Sequence, residues 1–129
     1  TADVAVAARG GTLGEAFAAV ADGLAAVMCD EIPPTGGGRH EVEVRAESRE
    51  SLLFDYLDEL IYRRDVERVL PVDHEARVEE VGGAWHLTGS FRGVPFANVV
   101  ARDVKAVTYS EMRVERRDGE WTAYVVLDV

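Results

Sequence analysis

Two carboxylates stand where charge is scarce. Asp3 lies in "TADVAVAA", where it is the only charge before Arg9, and Asp128 lies in "WTAYVVLDV", one residue from the end. An isolated carboxylate in an apolar setting is costly unless it is paired, hydrogen-bonded or bound to a metal. Other residues with chemistry to offer are less well placed. Asp73, His74 and Glu75 are metal-ligating types in "VDHEAR", but consecutive residues of a strand alternate faces and do not easily converge. Cys29 is the single cysteine and falls in a helical apolar pattern, so a packed thiol is expected rather than a nucleophile. "PPTGGGRH" has glycines that could cradle a phosphate but lacks the Lys-Ser/Thr ending of a P-loop, and reads as a mobile connector.

The elements that must position these residues follow from periodicity. Residues 3–8 alternate as a strand, with Val4 and Val6 on one side and Asp3 on the other. Thr12, with Glu15 three residues on, has the capping-box spacing and opens a helix that stops near Asp30 before "EIPPTGGG". "HEVEVRA" is a second strand. A second amphipathic helix begins near Ser48, with Leu52, Leu53, Tyr56, Leu57, Leu60 and Ile61 as its stripe. Asp55, Asp58 and Glu59 form an acidic ridge outside that stripe, read as a solvated face. Two hairpins follow, one turning at Gly82-Gly83 and one at Asp118-Gly119. The expected fold is α+β: a single two-layer domain over residues 1–129, with an antiparallel-rich sheet and two amphipathic helices.

Counting outward from Asp118-Gly119 sets Arg113 against Tyr124, Glu111 against Val126 and Tyr109 against Asp128. Asp128 then avoids the apolar parity of its strand, as Asp3 avoids that of the first. If the first strand lies beside the last, Asp3, Asp128 and the α-carboxylate of Val129 converge. Such an oxygen cluster suits a hard cation, Ca²⁺ or Mg²⁺. On spacing alone, two solvated acids at frayed termini are the favoured reading.

The composition narrows the partners. Twenty-four acids against fourteen bases give a formal charge of −10, with one lysine. Polyphosphate backbones need clustered cations, so direct nucleic-acid binding is not expected. Acidity favours cation binding or docking on a basic protein. No apolar run is long enough to span a membrane, and one cysteine fits a cytoplasmic chain.

"TADVAV", "SLLFDYLDELIY", "VKAVTYSEM" and "VVLDV", in this order and at these separations, resemble the archease family. The resemblance covers nearly the whole chain. It implies a small acidic α+β protein that serves as a non-catalytic cofactor of an RtcB-type RNA-splicing ligase, promoting its guanylylation and turnover. It also implies a divalent cation held by Asp3, Asp128 and Val129. Two features depart from the family pattern. A short segment ending in His usually precedes "TAD", whereas Thr1 stands first here and its amino group would compete with the cation. Asn98 lies near the place of a family histidine.

Three functions are therefore carried forward. The first is a metal-binding activator of an RtcB-type RNA ligase in tRNA splicing or RNA repair. The second is a small metal-dependent hydrolase using Asp3, Asp128 and Glu111. The third is a chaperone-like interaction module for an RNA-modification enzyme. The oligomeric state is not legible.

Overall fold

The computed structural model describes residues 3–129. Thr1 and Ala2, and with them the amino group expected to compete at Asp3, lie outside the described residues. The order is β1 (Asp3–Gly10), α1 (Leu13–Met28), β2 (Gly38–Ala46), α2 (Arg49–Glu67), β3 (Val69–Val81), β4 (Ala84–Pro95), a 3₁₀ turn (Phe96–Asn98), β5 (Ala106–Arg117) and β6 (Glu120–Asp128). This is the α+β, antiparallel architecture with two amphipathic helices that the periodicity predicts. The strands divide between two three-stranded sheets, ordered β1-β6-β5 and β2-β4-β3. Alternation reports only which side of a strand is buried, so it does not distinguish one sheet from two.

Local chemistry sets the helix starts. Thr12 Oγ1 accepts from the Glu15 N–H at 3.1 Å, and Glu15 Oε2 accepts from the Gly11 N–H at 3.0 Å. Ser48 Oγ accepts from the Ser51 N–H at 3.0 Å, and Ser51 Oγ accepts from the Ser48 N–H at 3.1 Å. Each cap satisfies amide donors that the first turn leaves orphaned, worth about 1 kcal/mol. Both helices join the two sheets. α1 packs on β1 and β6 and also on β3, while α2 packs on β5 and on β2, β3 and β4. Two glycines permit the approach of α1. A Cβ on Gly14 would stand 2.4 Å from the Ala76 carbonyl oxygen of β3, and one on Gly23 would stand 2.4 Å from Val6 Cγ1 of β1. A single apolar cluster results, with Phe17, Leu24, Met28, Tyr56, Phe91, Leu87 and Leu127 fully buried in it.

Both hairpins turn where expected. Asp118 and Gly119 have φ of 50° and 79°, and Gly82 and Gly83 have 59° and 79°, the left-handed pair that a two-residue hairpin requires. The register counted from the second turn holds only for its first half. Arg117↔Glu120 through Arg113↔Tyr124 pair as counted, but the far half pairs Thr108↔Val126, Val107↔Leu127 and Ala106↔Asp128. Four residues of β5, Tyr109 to Met112, stand opposite Val125 alone, and Glu111 takes a φ of 56°. The placement of Tyr109 opposite Asp128, and of Glu111 diagonal to it, is thereby corrected. The cause is tertiary: the Tyr109 ring stacks on Phe54 of α2, with centroids 4.1 Å apart and planes 4° from parallel. Looping out three extra residues takes Tyr109 off the ladder. The ladder resumes with the outward parity of Asp128 intact.

The connector at 33–40 is also corrected. Arg92 of β4, 9% exposed, donates to the Gly36 carbonyl at 2.9 Å and to the Pro33 carbonyl at 2.7 Å. Charged donors on two carbonyls pin the loop that its glycines suggested would be mobile.

Candidate metal centre

β6 is the central strand of its sheet, so its end is held from both sides. Asp128 is directly opposite Asp3 in β1 and opposite Ala106 in β5. The Lys105 N–H donates to the Asp128 carbonyl at 2.8 Å. Directly opposed residues in an antiparallel ladder share a face, with Cβ atoms about 4.5–5.5 Å apart. The two carboxylates therefore rise side by side. They rise on the side away from the core, because Val4↔Leu127 and Val6↔Val125 occupy the buried parity. Asp3 is exposed and Asp128 half-buried. On the same face Ala106 stands beside Asp128, Ala5 is the next residue of β1, and the buried Val126 is the next residue of β6. The Val129 side chain packs against the core, which keeps its backbone next to Asp128. Among the described residues, no side chain donates a hydrogen bond to Asp3 or Asp128, and no arginine or lysine pairs with either.

Asp3, Asp128 and Val129 are thus brought together. Glu111 is not, because the looped-out segment carries it away from the register position beside Asp128. Asn98 is exposed in the 3₁₀ turn. Among the described residues, no group of three or more His, Cys, Asp and Glu side chains is gathered closely enough to hold a metal. The terminal site is a pair of carboxylates, and further oxygen donors would come from Val129, from backbone carbonyls or from solvent. As a donor set, two adjacent carboxylates without a cationic partner fit a hard divalent ion.

Asp73, His74 and Glu75 do not converge, as the alternation argument expects. A one-residue bulge between Val72 and Glu75, with Asp73 at a φ of 49°, turns His74 inward and leaves its neighbours outside. Asp73 receives Arg92 Nε at 2.6 Å. Glu75 receives Arg39 Nη2 at 3.4 Å. His74 Nε2 lies 3.1 Å from the Pro71 carbonyl, and its backbone N–H donates to Asp22 Oδ1 at 3.1 Å. Burial pushes the imidazole down to about 4, only partly opposed by the Pro71 bond. Burial likewise raises the Asp22 carboxyl above its ordinary value, against the His74 amide. Cys29 is buried, with Sγ 3.5 Å from the Glu31 carbonyl. His40 stacks on Phe91 and lies 3.0 Å from Glu67.

The geometry can be set beside known proteins. The archease protein family (MTH1598/TM1083) matches residues 1–129. The chain belongs to the archease family. Among relatives, the protein archease of Pyrococcus furiosus is 36% identical over 133 residues, covering all of this chain and 94% of that protein. The protein archease of Methanothermobacter thermautotrophicus is 35% identical over 131 residues, with the same coverage. The solution structure of Methanobacterium thermoautotrophicum protein 1598 superposes with a TM-score of 0.85 at 34% identity, over 100% of this chain and 94% of that one. A Thermotoga maritima crystal structure, described as an archease and possible chaperone, gives 0.63 at 20% identity over 100% and 92%, a likeness of fold. The archease assignment accounts for the two helices and the two three-stranded sheets as one fold. Among the described residues, no helix is long and apolar enough to cross a membrane.

Proposed function

We propose that this archease-family chain is a non-catalytic, metal-dependent protein cofactor of an RtcB-type RNA ligase, promoting guanylylation and turnover of that enzyme in tRNA splicing or RNA repair. One observation carries the reading: Asp3 and Asp128 are direct partners across two strands, at an exposed sheet end, and no cation of the described chain neutralises them. Asp3, Asp128 and the α-carboxylate of Val129 would hold Ca²⁺ or Mg²⁺. When bound, that ion supplies Lewis-acid polarisation and charge neutralisation for phosphate oxygens. The chain's own part is positional. A central strand paired on both sides presents its end, with Ala5 and Ala106 as the neighbours across the ladders. An acidic face on a chain of net charge −10 steers it toward the basic cleft that a nucleotide-binding ligase presents.

Asp3→Ala and Asp128→Ala should each abolish stimulation of ligase guanylylation, with far-UV circular dichroism unchanged. Ca²⁺ or Mg²⁺ titration by calorimetry should lose its binding isotherm in both. Extension of the chain beyond Val129 should impair stimulation as well, because a peptide bond replaces the carboxylate. Full stimulation by both Asp variants sinks the reading. In that event a chaperone-like role, as suggested for the Thermotoga protein, is the one to pursue.

A further inference from the structure

At the opposite end of the β1-β6-β5 sheet, the same solvent face is concave and basic. A cavity of about 470 Å³ opens there, lined by Arg9 of β1, Thr122 and Tyr124 of β6, and Arg113, Glu115 and Arg117 of β5. The register explains the gathering. Arg9 is opposite Thr122, and Arg113 is opposite Tyr124, so both arginines share a parity and flank the central strand. Strands about 4.8 Å apart set β1 and β5 roughly 10 Å from each other, within the joint reach of two arginine side chains. Ala7, opposite Tyr124 on the β1 side, is too small to divide the space.

Charge and placement together mark this face. In a chain of net charge −10, Arg39, Arg63, Arg64, Arg77, Arg92 and Arg102 each lie against a carboxylate. Among the described residues, Arg9 and Arg113 have no carboxylate partner; Arg45, Arg49, Arg68, Lys105 and Arg116 share that state, but Arg9 and Arg113 are the two such cations that line one cavity, and both are exposed. Glu115 is the carboxylate of the cavity, and it is engaged by Arg117 at 3.5 Å. The Arg113 guanidinium lies over the Tyr124 ring, 4.3 Å from its centroid. That contact fixes the plane of the guanidinium and leaves its edge N–H donors free.

We propose that this concavity is an oxyanion site that takes a phosphate group, with Arg9 and Arg113 as its two cationic walls. A planar carboxylate is satisfied by one guanidinium fork. A tetrahedral phosphate has oxygens on every side and accepts from two arginines that approach from opposite strands. The volume falls within the roughly 300–1,000 Å³ of small-molecule sites. An extended nucleic acid is disfavoured, because its other phosphates would meet an acidic surface. The phosphate is therefore that of free inorganic phosphate or of a mononucleotide. The site lies about six residues along β1 from Asp3, or roughly 20 Å, and is independent of the terminal carboxylates.

The test is a ¹⁵N NMR titration of the full chain with sodium phosphate, with adenosine 5′-monophosphate and with sodium acetate, at ionic strength held constant by chloride. Saturable shifts are expected at the Thr122 and Tyr124 amides with phosphate and with the nucleotide, but not with acetate. Nucleotide affinity at least tenfold above that of phosphate identifies a mononucleotide as the source, and equal affinity identifies phosphate alone. Arg9→Gln and Arg113→Gln should each weaken binding at least tenfold. Arg77→Gln, on the exposed part of β3, and Asp3→Ala should bind like the parent. If Arg113→Gln perturbs folding by circular dichroism, the exposed Arg9→Gln decides. Shifts that fail to saturate, equal shifts with acetate, or unchanged affinity in Arg9→Gln overturn the proposal.

Discussion

The chain holds two groups of metal-ligating residue types, and they have opposite fates. Around the β3 bulge, Asp22, Asp73, His74 and Glu75 all have partners inside the protein. Asp73 is held by Arg92, Glu75 by Arg39, and Asp22 and His74 by each other and by Pro71. At the sheet end, Asp3 and Asp128 face each other with no such partner among the described residues. Carboxylates satisfied internally stabilise the fold. Opposed carboxylates without a counter-charge raise its energy and gain from an external cation. The same residue types thus separate into a structural set and a set available for binding. The lesson is that the partner list, more than the residue type, marks a site.

Acid should break the structural set first and most strongly. His74 is buried neutral with its folded value near 4, below the ordinary 6.5. The unfolded state therefore takes up the proton first. Stability from this group is whole above pH 6.5 and is lost as pH falls toward 4, by about 3 kcal/mol at roughly 1.4 kcal/mol per pH unit. Asp22, raised by burial, works in the opposite sense as pH falls through its folded value, and reduces the net loss. Urea unfolding at pH 7, 6, 5 and 4 measures the slope, and His74→Gln should flatten it. An unchanged slope in that variant would remove His74 from the account.

Arg92→Ala should cost somewhat less, about 2 kcal/mol, through the loss of hydrogen bonds from a charged donor to Asp73, Gly36 and Pro33. The figure stays moderate because the Asp73 side chain left behind is 58% exposed. The 33–37 amides should gain hydrogen exchange in the same variant. If stimulation of the ligase falls further than the folded fraction, the structural set also serves function and the contrast fails.

The terminal pair should respond in the reverse way. Asp3→Ala and Asp128→Ala, off the core face, should shift unfolding free energy by no more than about 0.5 kcal/mol while stimulation disappears. Removing one of two opposed like charges could raise thermal stability slightly, which differential scanning calorimetry would register. A loss of several kcal/mol in either variant would place these acids in the structural set. The smallest effect is expected at Glu111. Its position in the looped-out segment, away from Asp128, leaves Glu111→Ala with parental stimulation and near-parental stability. An uninterrupted hairpin would instead have set Glu111 diagonal to Asp128.

Much of this protein is written in short-range pattern. Period-2 and period-3.6 alternation located the strands and both helices, because burial of one face is a local property of each element. Thr12, Ser48 and the two hairpin turns declare themselves through caps and left-handed turn positions, which depend on a few neighbouring residues. The outward parity of Asp3 and Asp128 was legible for the same reason. What required the tertiary structure was every long-range partnership. The pairing of the first strand with the last sets Asp3 opposite Asp128 across 125 residues of chain. Stacking on Phe54 drew Tyr109 out of a ladder whose sequence shows no break. Arg92 reached back to fix a glycine-rich loop that composition alone suggests is free. Arg9 and Arg113 became one face only when β6 stood between their strands. Local pattern determines which way a side chain points, and only the packing of distant segments decides what it meets there.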